Sequence, residues 1–233
     1  MHRDHSLPGG LSLPEEFALL CLTADGHADP AQAATGCAAA ELGELALRGK
    51  VLVDCRKGNI GGLDVYRTFG AEVRLVDRDP TGLGWADALV ADLAGVAAER
   101  GKIVLSKWLR QRRDAFPSHC NALAQRGLVR HESAKHRFRT VNRYFPEPTT
   151  RGRLIADIAA ASSGMQMQDA HMLLLTDLVV GAGLTRDLHI TIPTRQRMAR
   201  ARRGGAVALL PEALLDTSAV LAAMVPRRTS RQN

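Results

Sequence analysis

The chain is poor in aromatic residues, which make up 4% of its 233 positions. A core with so few rings is built from Leu, Val and Ala, and long alanine- and leucine-rich segments favour helices over an all-β fold. Cysteine is scarce too: Cys21, Cys37, Cys55 and Cys120 are scattered, and none forms a CxxC pair. That spacing argues against a disulfide framework and against a zinc site with the eight histidines, and reads as reduced, mostly buried thiols. No apolar run is long enough to span a bilayer; Met172–Leu184, one of the longest, is interrupted by Thr176 and Asp177. The polar opening Met1–Gly10, with Arg3 and Asp4, is unlike a secretory signal. Any membrane contact is therefore expected to be peripheral. Catalytic signatures are missing as well: there is no GxSxG, HExxH, Walker loop or GxGxxG. Gly58-Asn59-Ile60-Gly61-Gly62 opens no helix and reads as a turn, and Asp77 and Asp79 beside Pro80 read as turn-shaping carboxylates. His131 and His136, flanked by Lys and Arg, suit a solvated hairpin rather than a metal site. The expectation is a protein that is not an enzyme and needs no cofactor or metal.

Acidic charge is also in short supply, with 24 Asp and Glu against 31 Lys and Arg, a formal net charge of +7. The excess is concentrated after Arg100, which predicts a basic face and a phosphate-bearing partner. Three clusters carry it. Lys102, Lys107, Arg110, Arg112 and Arg113 surround Trp108; Arg126, Arg130, Lys135, Arg137, Arg139 and Arg143 cross a hairpin; Arg195, Arg197, Arg200, Arg202 and Arg203 crowd one short segment.

The remaining patterning is helical. Ser12 as N-cap, Pro14 in the first turn and Glu15 and Glu16 behind it start a helix that runs to about Leu22. A long alanine-rich helix, predicted buried and central, covers about Ala31–Leu47 and is closed by Gly49. Lys50–Asp54 reads as a short strand. Cys55–Gly84 reads as irregular, with strands at Gly62–Thr68 and Glu72–Asp77, before an amphipathic helix at Trp85–Arg100. Lys102–Arg113 and a helix at Ser118–Arg126 lead into a hairpin of Gly127–Val129 with Phe138–Val141, its polar tip at Arg130–Arg137. Helices are predicted at Thr150–Ala161, Gln168–Ala182, Pro193–Arg203 and Pro211–Met224. This gives a mainly α class: a single helical domain built round a helix bundle, with short β-hairpins, over residues 11–225. A flexible tail precedes it (1–10) and a basic, disordered one follows (226–233).

Two functional readings fit the charge. Helix, helix and basic hairpin over 102–143 is the order of a winged-helix DNA-binding module. The alternative is an anionic membrane surface, gripped by arginine forks with Trp108 at the interface. A resemblance decides between them. Leu11-Ser12-Leu13-Pro14-Glu15-Glu16-Phe17-Ala18-Leu19-Leu20 before Asp25-Gly26, then Glu44-Leu45-Ala46-Leu47-Arg48-Gly49-Lys50, Asp79-Pro80-Thr81-Gly82, Arg126-Gly127-Leu128-Val129 and Met172-Leu173-Leu174-Leu175 fall in an order and spacing similar to the Golgi phosphoprotein three family. The resemblance spans about Leu11–Val225 and best fits the bacterial members. It implies a peripheral, cytoplasmic membrane-binding module for phosphatidylinositol 4-phosphate or other anionic headgroups. It further implies an adaptor for membrane enzymes, with membrane-protein clients or further copies of itself as partners and nucleic acid the less favoured one. The family's headgroup pocket uses a tryptophan and an arginine ahead of the Glu-Leu-Ala-Leu-Arg-Gly stretch, positions that fall near Asp29 and Ala38 here. Its later arginine pair falls on Arg113 and Phe116, so only Arg113 carries over. The expected phosphate-binding set is Arg113 with its neighbours Arg112, Arg110, Lys107 and Trp108.

Overall fold

The computed structural model describes residues 10–61, 63–136, 139–163, 169–193 and 209–227. All of the first tail but Gly10, all of the predicted helix Pro193–Arg203 but Pro193, with its arginine cluster, and most of the second tail lie outside the described residues. Among those described, the molecule is mainly helical with antiparallel strand pairs.

Helix α1 (Leu13–Cys21) starts as the sequence dictates: the Ser12 backbone N–H donates to Glu15 Oε2 at 2.8 Å. Helix α2 (Pro30–Leu47) is capped by Asp29, whose Oδ1 accepts the Gln32 N–H at 3.0 Å, with Pro30 at its first position. It is buried along almost its whole length, from Gln32 to Ala46. Its small residues let neighbours approach closely. A Cβ on Gly36 would lie 2.1 Å from Cε1 of Phe17, and one on Gly43 would lie 2.7 Å from a Leu13 methyl. Two glycines two turns apart on α2 thus receive two side chains one turn apart on α1, which seats α1 in a groove of α2. Gly49 (φ 70°) then ends the helix in the left-handed region.

Strands β1 (Val51–Ile60) and β2 (Leu63–Leu75) form one long antiparallel hairpin, and β3 (Ile103–Val104) pairs with β2 through Glu72↔Val104 and Val73↔Ile103. This corrects the sequence expectation for residues 55–84. The two strands placed at Gly62–Thr68 and Glu72–Asp77 are one strand, and Gly58–Ile60 lies within β1 rather than in a turn. Two features hid it. Asp54 pairs with Glu72 and Arg56 with Arg67, so residues 68–71 of β2 bulge opposite Cys55, with Gly70 at φ 79°. The outer half of the hairpin meets the apolar core through Tyr66 and is otherwise held by charged contacts, so it shows no apolar–polar alternation. Lys57 contacts Asp64 (3.2 Å), Glu212 (2.8 Å) and Asp216 (3.6 Å), and Tyr66 Oη donates to Asp216 at 2.8 Å.

Helix α3 (Gly84–Arg100) follows, then α4 (Leu105–Gln111) directly after β3. Residues 102–113 are therefore a two-residue strand and a two-turn helix. Helix α5 (Ala115–Gln125) precedes the hairpin β4 (Val129–His136) and β5 (Arg139–Pro146). The residues read as that hairpin's tip, 131–136, are strand residues that pair with 139–144. Helices α6 (Pro148–Ser163), α7 (Ala170–Gly181) and α8 (Glu212–Met224) complete the described chain. Helices α1, α4, α5, α7 and α8 all pack on α2. At the α7–α8 crossing a Cβ on Gly181 would lie 2.2 Å from the Ala222 carbonyl oxygen. Among the described residues, no helix is long and apolar enough to cross a membrane.

A candidate anion-binding site at the junction of α3, β3 and α4

The chain reverses sharply after α3. Gly101 adopts φ 71° and its N–H closes the helix onto Ala97 O at 2.9 Å. Arg100 and Lys102 flank that glycine. Two residues of β3 tie the segment to β2, and α4 then turns Lys107, Trp108 and Gln111 back towards the end of α3. The result is a cavity of about 200 Å³ lined by Val96, Arg100, Lys102, Ile103, Val104, Lys107, Trp108 and Gln111. Apolar side chains and the Trp108 ring form part of its wall, and three cations converge on it. Trp108 is 7% exposed and packs in the core, so it shapes the cavity rather than reaching an interface. Lys102 contacts Glu72 at 3.2 Å, a pair open to solvent on both sides. No lining residue is a carboxylate, histidine, cysteine or hydroxyl. The site offers charge and amide donors for an anion, and no acid–base or nucleophilic pair.

Of the residues expected from sequence, Lys107 and Trp108 meet at this cavity. Arg110 and Arg113 are exposed; their Nε atoms donate to the carbonyls of Ser106 (3.1 Å) and Arg110 (3.4 Å) respectively. Arg112 points inward. Its Nε and Nη2 donate to the Glu41 carboxylate at 2.9 and 3.1 Å, and its Nη1 lies 3.1 Å from Asp114. It is thereby committed to the fold and is not available to a headgroup. Arg100 was missed because it reads as the cationic last turn of a helix. The Arg-Gly-Lys order, a left-handed glycine between two cations, was the signal that could have found it.

Two polar clusters, one buried and one partly buried, lie away from the cavity. Glu41, 1% exposed, also meets His119 Nε2 at 3.0 Å, with the Trp85 ring edge-on to the imidazole at 5.1 Å. Glu16 meets His171 Nε2 at 2.6 Å. Burial raises the Glu16 carboxyl above its ordinary range against the opposing His171 contact, and the Glu16 contact raises His171 against its own burial. Burial also pushes the Cys120 thiol up to about 12, which leaves it protonated at neutral pH. Among the described residues, no group of three or more His, Cys, Asp or Glu is placed to hold a metal ion.

Two members of the second basic cluster are engaged within the fold. Arg126 contacts Glu15 at 3.0 Å, and Arg130 pairs with Glu132 and lies over the Phe145 ring at 4.3 Å. Helix α5 has no Lys or Arg within it, buries His119, Cys120 and Leu123 against the core, and exposes Ser118, Asn121 and Gln125. It lacks the cations a groove-reading helix presents to phosphates.

Comparison with known families gives one match: the model for Golgi phosphoprotein 3 (GPP34) covers residues 13–220. Comparison with curated proteins gives no match.

Proposed function

The chain belongs to the Golgi phosphoprotein 3 (GPP34) family, and from that premise we propose that it is a non-catalytic module that docks peripherally on anionic membranes from the cytoplasmic side. Its ligand is the phosphate of an anionic headgroup, of which phosphatidylinositol 4-phosphate is the candidate that family membership favours. Its role is that of an adaptor for membrane enzymes. The observation that carries the reading is the convergence of Arg100, Lys102 and Lys107 on one cavity, where, among the described residues, the half-buried carboxylate of Glu72 touches Lys102. A cation near an anionic membrane surface contributes about 1 kcal/mol. Arg110 and Arg113, exposed on and just beyond the same short helix, extend the basic surface beside the cavity.

Lys107→Glu removes one such contribution and adds a repulsion of similar size. It should lower binding to vesicles containing anionic lipid by about 30-fold, or about 2 kcal/mol. Because Lys107 is exposed, the far-ultraviolet circular dichroism should not change. Arg113→Glu should give a smaller loss, since Arg113 lies outside the cavity. Equal flotation of Lys107→Glu and the unsubstituted protein would remove the cavity from the reading.

A further inference from the structure

We propose that the outer half of the β1–β2 hairpin is the part of the molecule that enters the bilayer, with Phe69 as its principal apolar anchor. The inference rests on the membrane reading above and names the element that penetrates. Among the described residues, Phe69 is 97% exposed, Ile60 70% and Val65 42%, and Val76 just past β2 is exposed too; these are four of the six large apolar side chains exposed there. Scattered exposed hydrophobics are ordinary, but three on one hairpin single it out as a contact surface. Phe69 sits in the 68–71 bulge, next to Gly70 with its positive φ of 79°.

The register sorts the rest of the hairpin. Arg56 opposes Arg67, Gly58 opposes Val65 and Ile60 opposes Leu63, so these six share one face. Lys57, Asn59, Asp64 and Tyr66 share the other, which is held by the charged contacts to α8. The free face therefore combines Ile60 and Val65 with two arginines directly across from each other. Like charges opposed on a sheet repel, and neither arginine is paired with a carboxylate among the described contacts. An anion between them removes that repulsion.

The occupant must supply both anionic groups and hydrocarbon. A nucleic acid offers phosphates, and a base could stack on Phe69, but it has no place for Ile60 and Val65. An anionic bilayer accepts all of them: the rings and aliphatic chains enter below the headgroups, and the guanidinium groups remain at phosphate level. The hairpin is also next to the cationic cavity. Phe69 is three residues from Glu72, which pairs with Val104 across the sheet and contacts Lys102. Headgroup cavity and anchor are thus linked through the same stretch of β2.

The test is flotation of the full chain with vesicles of phosphatidylcholine containing phosphatidylserine, comparing Phe69→Ser and the pair Arg56→Gln with Arg67→Gln. Phe69→Ser should lower binding by about 10-fold, as expected for an aromatic ring partly buried in the membrane, and the deficit should persist in high salt. The arginine pair should weaken binding only in low salt, while raising the melting temperature slightly as the repulsion is removed. If the unsubstituted protein floats and Phe69→Ser floats equally well, the anchor is wrong although the membrane reading stands. If the unsubstituted protein floats with no anionic vesicle, the membrane reading itself fails and takes the anchor with it. Loss of duplex DNA binding, or dissociation of a dimer, as the effect of Phe69→Ser would overturn the inference by giving the face another occupant.

Discussion

Gly181→Ala should destabilise the protein by about 3 kcal/mol, lowering its melting temperature by roughly 10 °C. In an ordinary helix the same change is favourable, because alanine loses less backbone entropy than glycine. Here the sign reverses. The added methyl would lie 2.2 Å from the carbonyl oxygen of Ala222 and 2.8 Å from its carbonyl carbon. These are backbone atoms of α8, so the neighbour cannot rotate away as a side chain would, and the two helices must separate. That separation would disturb the bond from Ser218 Oγ to Asp177 Oδ2 (2.7 Å) and the seat of α8 on β1, where Thr217 Oγ1 accepts the Val53 N–H at 3.0 Å. Gly95→Ala is the control: it lies within α3 with nothing inside 4 Å of the new methyl, and should be neutral or stabilise by up to about 1 kcal/mol. Calorimetry on both variants reads the contrast, and a Gly181→Ala protein that melts with Gly95→Ala would mean that α7 and α8 do not cross so closely.

Arg112→Ala should cost about 3 kcal/mol, read as a lowered urea midpoint, while Arg110→Ala and Arg113→Ala should each stay within about 0.5 kcal/mol. The three arginines are near neighbours in sequence, yet they differ in what they touch. Glu41 is 1% exposed and receives both prongs of the Arg112 guanidinium. Removing Arg112 leaves a buried carboxylate with the His119 ring as its remaining partner, and uncompensated burial of charge is what makes such a change costly. Arg112→Lys should recover little, because an ammonium cannot reproduce the two-pronged geometry. Adding Glu41→Gln to Arg112→Ala should recover part of the loss, which a double-mutant cycle measures directly. Equal midpoints for Arg112→Ala and Arg110→Ala would place Arg112 back on the surface.

That contrast explains how much was legible beforehand. The helical class, the N-cap at Ser12 and the burial of the alanine-rich α2 follow from local signals, and local signals sit in the sequence; the caps Asp29 and Asp169 emerge from the structure. Family membership was legible too, from motifs spread over the length that the family match covers. The long β1–β2 hairpin was not, because its outer half is stabilised by Lys57 reaching Asp64, Glu212 and Asp216, two of them about 150 residues away, and such partners leave no periodicity. The site was legible in part for the same reason. Charge density pointed to residues 102–113, but only the fold reveals that Arg112 turns inward to Glu41, that Trp108 is a wall, and that Arg100 joins Lys102 and Lys107.

The most direct test of the central claim is flotation of the unsubstituted protein with three kinds of vesicle, neutral, phosphatidylserine-containing and phosphatidylinositol 4-phosphate-containing, at about 0.1 M and about 0.5 M salt with competing duplex DNA. The account predicts flotation with both anionic kinds at the lower salt, strongest with the phosphoinositide, and a weaker signal at the higher salt that DNA does not abolish. Absence from every anionic vesicle, with the protein held by the DNA instead, would contradict it.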